Sequence, residues 1–334
     1  MQLVVWASQP IRARVEALVG AKAQLIVASS YDELCTGLRK PNSIGVIDFT
    51  TSAAVLSQYD GAAEIIAFSD DTVQTAIHWL ASGPAIAHVT SVTMLDDPYC
   101  AELFGNVIAS LEAGHKPRLL DWLSDDAVGR RVRLTHAGRR GDRLDKLSAF
   151  FTANSLGSRT VEQLRDAAEE LLTNAFYDAP VAAGVMKRPV SRTQDIELPD
   201  DCGCDLAYGV RGQLAIVRVR DPFGSLTRQR LIDVLVRCSR TDMGVEVDET
   251  MGGAGLGMWR IFSAATFVAV SVVNGRHTEI LVGITKRAAS RPRPFSFHLF
   301  FREATKRRFW TIFKDDESAQ PGINHSVLLV EKTK

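Results

Sequence analysis

The chain of 334 residues lacks the features that mark membrane, secreted or nucleic-acid-binding proteins. Its 39 basic and 39 acidic side chains cancel, so it has no overall basic field of the kind that binds nucleic acid. Its five cysteines are too few for a disulfide framework, and Cys202 and Cys204 lack a second ligand pair at zinc spacing. The longest apolar run, Phe267–Val273, is far shorter than the roughly 20 residues that span a bilayer. Because the N-terminus also lacks the basic start of a signal peptide, we expect a cytoplasmic protein without a transmembrane segment.

The length and the charge distribution favour several parts with different tasks. A chain of this length suits two domains of roughly 100–200 residues each, and 46% hydrophobic residues support a sizeable core. Residues 1–115 carry 12 acidic and 5 basic side chains, whereas residues 284–314 carry nine basic side chains and one acidic. This asymmetry indicates either separate functions or segments that are simply solvated in different ways.

Residues 1–115 alternate short runs rich in Val, Ile and Ala with helical patterns. Such runs are typical of buried parallel strands, and their alternation with helices predicts a parallel sheet covered on both faces. Five strands in this length suit a flavodoxin-like doubly wound α/β domain. The predicted strands are Gln2–Ala7, Gln24–Ala28, Ile44–Phe49, Glu64–Ser69 and Ala85–Thr90, and the predicted helices are Pro10–Val19, Tyr31–Leu38, Thr72–Ala81 and Pro98–Leu111.

This pattern resembles the receiver domain of response regulators. In that family an acidic pair after the first strand holds Mg²⁺, and an Asp at the end of the third strand accepts a phosphoryl group. Asp48 ends the third predicted strand and Ser69 matches the hydroxyl after the fourth, but residues 6–9 contain no carboxylate. Because Mg²⁺ would have too few oxygen ligands, the resemblance implies a pseudo-receiver that serves for protein contacts. The alternatives are an active phospho-acceptor at Asp48 and a carboxylate that caps a neighbouring helix.

The segment Thr160–Phe176 predicts an amphipathic helix that leads towards Asp178. Glu170, Asn174 and Asp178 follow one another at intervals of four residues and share one helix face. An amide oxygen beside two carboxylates suits Mg²⁺, and Glu170 can instead polarise a water or a substrate hydroxyl. The alternative is a solvated polar face of the helix.

Two later segments have the composition of a nucleotide site. The turn Asp221–Ser225 follows a predicted strand, Leu214–Val219, and can present a carboxylate to a base amine while glycine lets the backbone pass closely. The alternative is that Asp221 bonds the backbone of its own turn. The glycine-rich segment Met251–Gly257 opens a helix, and backbone N–H groups at a helix N-terminus bind phosphate.

In this order, the Glu-x-x-x-Asn helix, the Asp-x-x-Gly turn and the Gly-Gly-x-Gly-Leu-Gly loop resemble the Bergerat (GHKL) ATP-binding fold. That family includes gyrase, histidine kinases and anti-sigma-factor serine kinases, and the resemblance covers about Arg131 to Arg287. It implies ATP and Mg²⁺ as cofactors, with Asn174 as the Mg²⁺ ligand and Glu170 as the catalytic base. It further implies nucleotide contacts from Asp178, Asp221, Gly224, Gly253, Gly255, Leu256, Gly257 and Thr278. Among these, Asp221 would accept the adenine amine and Thr278 would support Asp221.

The resemblance also implies a lid over the nucleotide, at residues 225–251, in which Arg237 and Arg240 are candidate phosphate contacts. One departure from the family pattern is the turn at Asp221, which has one glycine fewer than the usual Asp-x-Gly-x-Gly. Pro222 stiffens this turn and removes a backbone donor.

These observations predict an α/β domain followed by an α+β domain with a C-terminal extension. The expected parts are a receiver-like domain (1–115), a linker (116–130), a GHKL domain (131–288) and a basic, aromatic extension (289–334). The extension includes a predicted strand at Phe295–Phe301. Its basic stretch around Trp310 either packs on the core as a helix or binds nucleic acid, an acidic membrane or the acidic N-terminal domain.

The resulting functional expectation is an ATP-binding signal-transduction regulator whose enzymatic form is a Ser/Thr protein kinase similar to the anti-sigma-factor kinases. The expected partners are proteins of a bacterial signalling pathway, a homodimer is compatible with this architecture, and nucleic acid is not expected. One alternative is a non-catalytic scaffold that uses both domains for protein contacts. The other is a histidine kinase of a two-component system, although neither His115 nor His136 lies in a suitable helical hairpin.

Overall fold

The computed structural model describes residues 2–20, 23–48, 59, 61, 63–69, 72–83, 85–96, 98–112, 128–239, 255–285 and 293–303. These residues belong to one compact unit, which extends to residue 304. We call residues 2–112 the N-terminal half and residues 128–303 the C-terminal half. No helix in these described ranges combines the length and the apolar character needed to cross a membrane.

The N-terminal half contains five parallel strands with helices between them. The strands are β1 (Gln2–Trp6), β2 (Gln24–Val27), β3 (Ser43–Asp48), β4 (Ile65–Ser69) and β5 (Ile86–Ser91), in the spatial order β2-β1-β3-β4-β5. The helices are α1 (Gln9–Val19), α2 (Tyr31–Leu38), α3 (Val73–Ser82) and α4 (Pro98–Glu112). Every residue of β3, β4 and β5 is buried, which is why these strands read as continuous apolar runs. The nine strands and helices predicted here are confirmed, each end to within one residue.

The C-terminal half adds an antiparallel sheet with its helices on one face. Its strands are β6 (Val128–Leu134), β7 (Cys204–Arg211), β8 (Leu214–Asp221), β9 (Phe267–Val273), β10 (His277–Thr285) and β11 (Ser296–Arg302). Its helices are α5 (Arg140–Ala153), α6 (Ser158–Thr173), α7 (Ala179–Ala182), α8 (Arg228–Ser239) and α9 (Leu256–Ala264). β6, β7, β8, β10 and β9 pair in that order, each antiparallel to the next.

β11 joins the two halves into one continuous sheet. It pairs antiparallel with β5 and parallel with β9, which gives the order β2-β1-β3-β4-β5-β11-β9-β10-β8-β7-β6. This strand lies within residues 289–334, which the sequence analysis treats as an extension, yet in the structure it occupies the middle of the sheet. Its first five residues are buried, because Phe297 and Leu299 pack into one core and Phe300 packs into the other. The central position of β11 is not evident from the sequence, because basic residues flank the strand on both sides.

Two predicted segments fall on residues that the structure does not describe. The linker is described only from residue 128, where it already forms part of β6. The basic aromatic stretch around Trp310 and a predicted final strand at 327–330 lie beyond residue 303.

A chain of polar side chains, buried except for the partly exposed Glu64, crosses the seam between β5 and β11. Ser296 Oγ lies 2.5 Å from His298 Nε2, His298 Nδ1 lies 3.3 Å from His88 Nδ1, and His88 Nε2 lies 3.3 Å from Glu64 Oε2. An ionised carboxylate only accepts, so His88 donates to Glu64 through Nε2. The Nδ1 atoms of His88 and His298 share one hydrogen bond, and the Ser296 hydroxyl completes the chain at His298 Nε2.

Candidate functional site

A cavity of about 680 Å³ lies between α6, α8 and the paired strands β8 and β10. Its volume is within the range of about 300–1,000 Å³ that is typical of small-molecule sites. Seven residues implied by the resemblance line it together, although they come from separate parts of the chain. They are Glu170, Asn174, Asp178, Asp221, Arg237, Gly255 and Thr278.

A π-helical turn forms the wall that carries Asn174 and Asp178. The α-helix α6 ends at Thr173, residues Asn174–Asp178 form the π turn, and α7 follows directly. Such π turns are rare in proteins, and those that occur are often found at functional sites. Asn174 Nδ2 donates to Glu170 Oε1 at 3.4 Å, so the amide and the carboxylate lie side by side as their spacing predicts.

Burial makes both carboxyl groups of this wall more basic than in water. Desolvation is the largest cause of the raised pKa of Glu170, and the negative charge of Asp178 adds to it, while Arg192, Asn174 and Arg260 oppose it. The pKa of Asp178 is also raised by desolvation, even though Arg192 Nη2 lies 3.0 Å from Asp178 Oδ2. A carboxylate with a raised pKa is a better proton acceptor.

Asp221 lies at the end of β8 and forms part of the cavity floor. Its Oδ1 accepts hydrogen bonds from the backbone N–H groups of Phe223, at 2.9 Å, and of Gly224, at 3.4 Å. Thr278, its partner across the β8–β10 ladder, contributes a backbone and a side-chain hydrogen bond. Burial nevertheless raises the pKa of Asp221. Asp221 therefore bonds its own turn and is also one of the groups that line the cavity.

Gly224 acts behind this turn and is not part of the cavity wall. Its φ is +62°, and a Cβ atom here would overlap with the backbone oxygen of Val273 and approach the backbone nitrogen of Arg276 to 2.7 Å. The Gly275 N–H donates to the Gly224 carbonyl at 3.2 Å. Glycine at this position lets the turn at Asp221 pack against the β9–β10 hairpin.

The glycine-rich loop approaches two other parts of the site. Gly255 is the N-cap of α9 with φ +74°, and a Cβ atom on it would overlap with the Val234 side chain of α8. A Cβ atom on Gly257 would overlap with the Glu170 carboxylate. Leu256 begins α9 and does not line the cavity. Gly253 and the lid residues 240–251, with Arg240, lie outside the described residues.

Arginines complete the cavity wall, and sequence reasoning missed Arg192 and Arg230. Arg192 lies in the segment between α7 and β7, which has no periodic pattern, and its carbonyl accepts from Arg140 Nη2 at 3.3 Å. Arg230 and Arg237 lie on α8, and both line the cavity. The detectable signal was the polar face of α8, opposite the buried Leu231 and Leu235.

The predicted phospho-acceptor position lies in the other half of the sheet. The Asp48 side chain is buried, and its Oδ2 accepts from the Ser8 N–H at 2.6 Å. Ser8 is the N-cap residue of α1, so the carboxylate binds at the start of a neighbouring helix, as one of the sequence alternatives describes. Ser69 is buried as well.

No protein-family model matches the chain, and a search of curated proteins finds no match to its sequence. The described part of the chain also contains no group of three His, Cys, Asp or Glu side chains arranged to hold a metal ion.

Proposed function

We propose that the cavity binds a purine nucleoside triphosphate with Mg²⁺, and that the protein is a nucleotide-dependent signalling regulator whose C-terminal half has a Bergerat-type fold. One observation carries this proposal. The buried Asp221–Thr278 pair and the Glu170–Asn174 pair, which are 47 or more residues apart in sequence, line the same cavity. Neither pair alone defines a ligand, whereas together they match the two ends of a nucleotide.

The Asp221 end suits the base. A carboxylate that is 7% exposed and oriented by hydrogen bonds from Phe223 and Thr278 can accept the exocyclic amine of adenine. The apolar side chains of Val219 and Ile280 line the cavity beside it, which suits the faces of a planar base.

The other end suits the phosphates and Mg²⁺. Mg²⁺ is usually held by one or two protein oxygens together with substrate phosphates, so the Asn174 amide and its acidic neighbours suffice without a three-residue metal cluster. Arg192, Arg230 and Arg237 provide guanidinium donors for phosphate. When bound, Mg²⁺ would neutralise phosphate charge. Glu170 would take a proton from the attacking hydroxyl or water.

The enzymatic form of this proposal is transfer of a phosphoryl group to a Ser or Thr of a partner protein, with the N-terminal half used for protein contacts. The raised pKa of Glu170 supports a base at this position. A non-catalytic scaffold is the second candidate, because Asp221 Oδ1 already bonds two backbone groups of its own turn. A histidine kinase gains no support from His136, which lies outside a helix and pairs with Glu197 at 3.1 Å.

The test is calorimetric titration of ATP and ADP into the full chain, with and without Mg²⁺. We expect binding that requires Mg²⁺, is lost in Asn174→Ala and persists in Glu170→Gln. Phosphoryl transfer or hydrolysis should be lost in Glu170→Gln. Asn154→Ala is the matched control, because Asn154 caps α5 away from the cavity. Absence of both heat and thermal shift at millimolar nucleotide would reject nucleotide binding and favour the scaffold.

A further inference from the structure

Arg228, the first residue of α8, binds the N-terminal half through three backbone oxygens. Its Nη2 donates to the carbonyls of Leu80 at 2.6 Å, Gly83 at 2.8 Å and Ile86 at 3.1 Å. Leu80 lies in the last turn of α3, Gly83 is its C-cap, and Ile86 begins β5. A cation at the end of a helix satisfies carbonyls that have no partner within the helix.

The same helix forms one wall of the cavity. Arg230, Asp233, Val234 and Arg237 line it, and they lie at intervals of three and four residues along one face of α8. α8 packs against α3 on one side and against α9 on the other. Val234 also contacts Gly255 so closely that a Cβ atom there would overlap with it. A displacement of α8 would therefore alter the cavity wall and the contacts of α3 together.

The interaction of Arg228 is specific and costly to rearrange. Its guanidinium is partly buried, and this burial lowers the pKa of Arg228. Neutral carbonyls, rather than a carboxylate, accept its three hydrogen bonds, and Nε has no partner. A guanidinium withdrawn from water in this way has few alternative positions, so the N-terminal end of α8 is held in one place.

We propose that Arg228 is a positioning residue that sets α8 over the cavity and couples ligand binding to the packing of α3 and β5. The inference rests on the proposed nucleotide site and adds its regulation. A protein partner that moves α3 would change nucleotide affinity through α8, and nucleotide would by reciprocity change affinity for that partner.

The first test uses the wild-type full chain and amide hydrogen exchange read by mass spectrometry. We expect ATP with Mg²⁺ to slow exchange in residues 73–91, which do not line the cavity, as well as in 228–239. Slowed exchange in 228–239 with no change in 73–91 would overturn the coupling. If the wild type binds no ATP in calorimetry, the proposed function itself is rejected, which is a distinguishable result.

The second test is a set of matched arginine variants. We expect Arg228→Ala to weaken ATP binding by about 5- to 20-fold and to abolish the slowed exchange in 73–91, and Arg228→Lys to restore part of both. Arg14→Ala is the control, because Arg14 is an exposed arginine of the N-terminal half, the half that Arg228 contacts, and is paired with Asp96. A lower melting temperature of Arg228→Ala with unchanged ATP affinity would show that Arg228 is only structural and would overturn the proposal.

Discussion

Two regions of this protein contain ionisable side chains that are wholly or partly buried. The two regions offset the free-energy cost of desolvation in different ways. At the seam of β5 and β11, Ser296, His298, His88 and Glu64 form one chain of hydrogen bonds. The result is a lowered pKa for Glu64, where burial is outweighed by the hydrogen bond and charge of His88 and by Arg302. At the cavity, desolvation is the stronger effect and the pKa values of the carboxyl groups are raised.

The direction of the pKa shift thus differs between the partly exposed Glu64 and the buried Asp221. At the seam, partners within the chain compensate the charged carboxylate for its burial, so the network specifies structure. In the cavity, the partners of Glu170, Asp178 and Asp221 compensate only in part, and a ligand that brings amine donors and a cation would supply the remainder. The comparison explains why the cavity, rather than the equally polar seam, is the candidate site.

The largest expected effect is on the stability of the seam. His298→Ala removes a buried ring, leaves the Ser296 hydroxyl and His88 Nδ1 without their partner, and should lower the free energy of unfolding by about 2–4 kcal/mol. Urea denaturation followed by tryptophan fluorescence measures this change. His78→Ala is the control, because His78 is exposed, and it should stay within about 0.5 kcal/mol of wild type. Equal small effects for the two variants would refute a structural role of the chain of hydrogen bonds.

The next largest expected effect is a loss of ATP affinity without a loss of stability. Asp221→Asn keeps an oxygen for the Phe223 N–H but presents an amide donor to the adenine amine, so ATP affinity should fall about 10- to 100-fold. Stability should be unchanged or higher, because an ionised buried carboxylate is removed. Titration calorimetry and urea denaturation of the same sample measure both quantities. A variant that loses stability and keeps its affinity would place Asp221 among the purely structural groups.

Acidification should act on the two regions with opposite signs. Burial, aided by His88, holds the pKa of His298 well below its ordinary value. In the unfolded chain His298 therefore binds a proton near pH 6.5, whereas in the folded chain it does not. As a result, its contribution to the free energy of unfolding falls by about 1 kcal/mol between pH 7 and 5.5. The cavity carboxyls have raised pKa values, so they regain stability as the pH falls through those values. Urea titrations at several pH values should show a shallower loss between pH 7 and 5.5 in His298→Gln than in wild type, and an equal loss would contradict this assignment.

The smallest expected effect concerns the glycines at the second position of two helices. In Gly257→Ala the methyl group displaces the Glu170 carboxylate, and ATP affinity should fall about fivefold, close to 1 kcal/mol. Gly141→Ala is matched to it, because Gly141 is the second residue of α5 and has open space around it. This control should leave affinity unchanged and stabilise the helix by up to about 1 kcal/mol. Identical affinities in the two variants would argue against a close approach of α9 to Glu170.

Much of the local structure follows from residue patterns. The strands of the N-terminal half were predictable because burial on both faces gives continuous apolar runs. The helix that carries Glu170 was predictable because burial of one helix face gives a periodic pattern. The neighbouring positions of Glu170 and Asn174 also follow from their spacing on one helix. The π turn was not predictable, because it arises from how the end of α6 continues into α7.

The remaining features depend on contacts between residues far apart in sequence. From its sequence, β11 looked like part of a basic extension. Its position between β5 and β9 explains why successive side chains are buried, because the two faces of the strand pack into two different cores. Arg192 and Arg228 carry no sequence signal, because an arginine in an aperiodic segment or at the start of a helix is usually solvated. Their roles come from the carboxylate and the carbonyls that the fold brings to them.

The sequence by itself therefore determined the strands and helices of the N-terminal half, the spacing of Glu170, Asn174 and Asp178, and the glycines that close approach requires. These depend on interactions within a few residues of each other. Only the tertiary structure decided that Asp221 and Thr278 share a cavity with Glu170, that α8 is attached to the N-terminal half, and that His88 and His298 meet at the seam. These outcomes depend on burial, and the water that each side chain loses is set by neighbours that only the folded chain supplies.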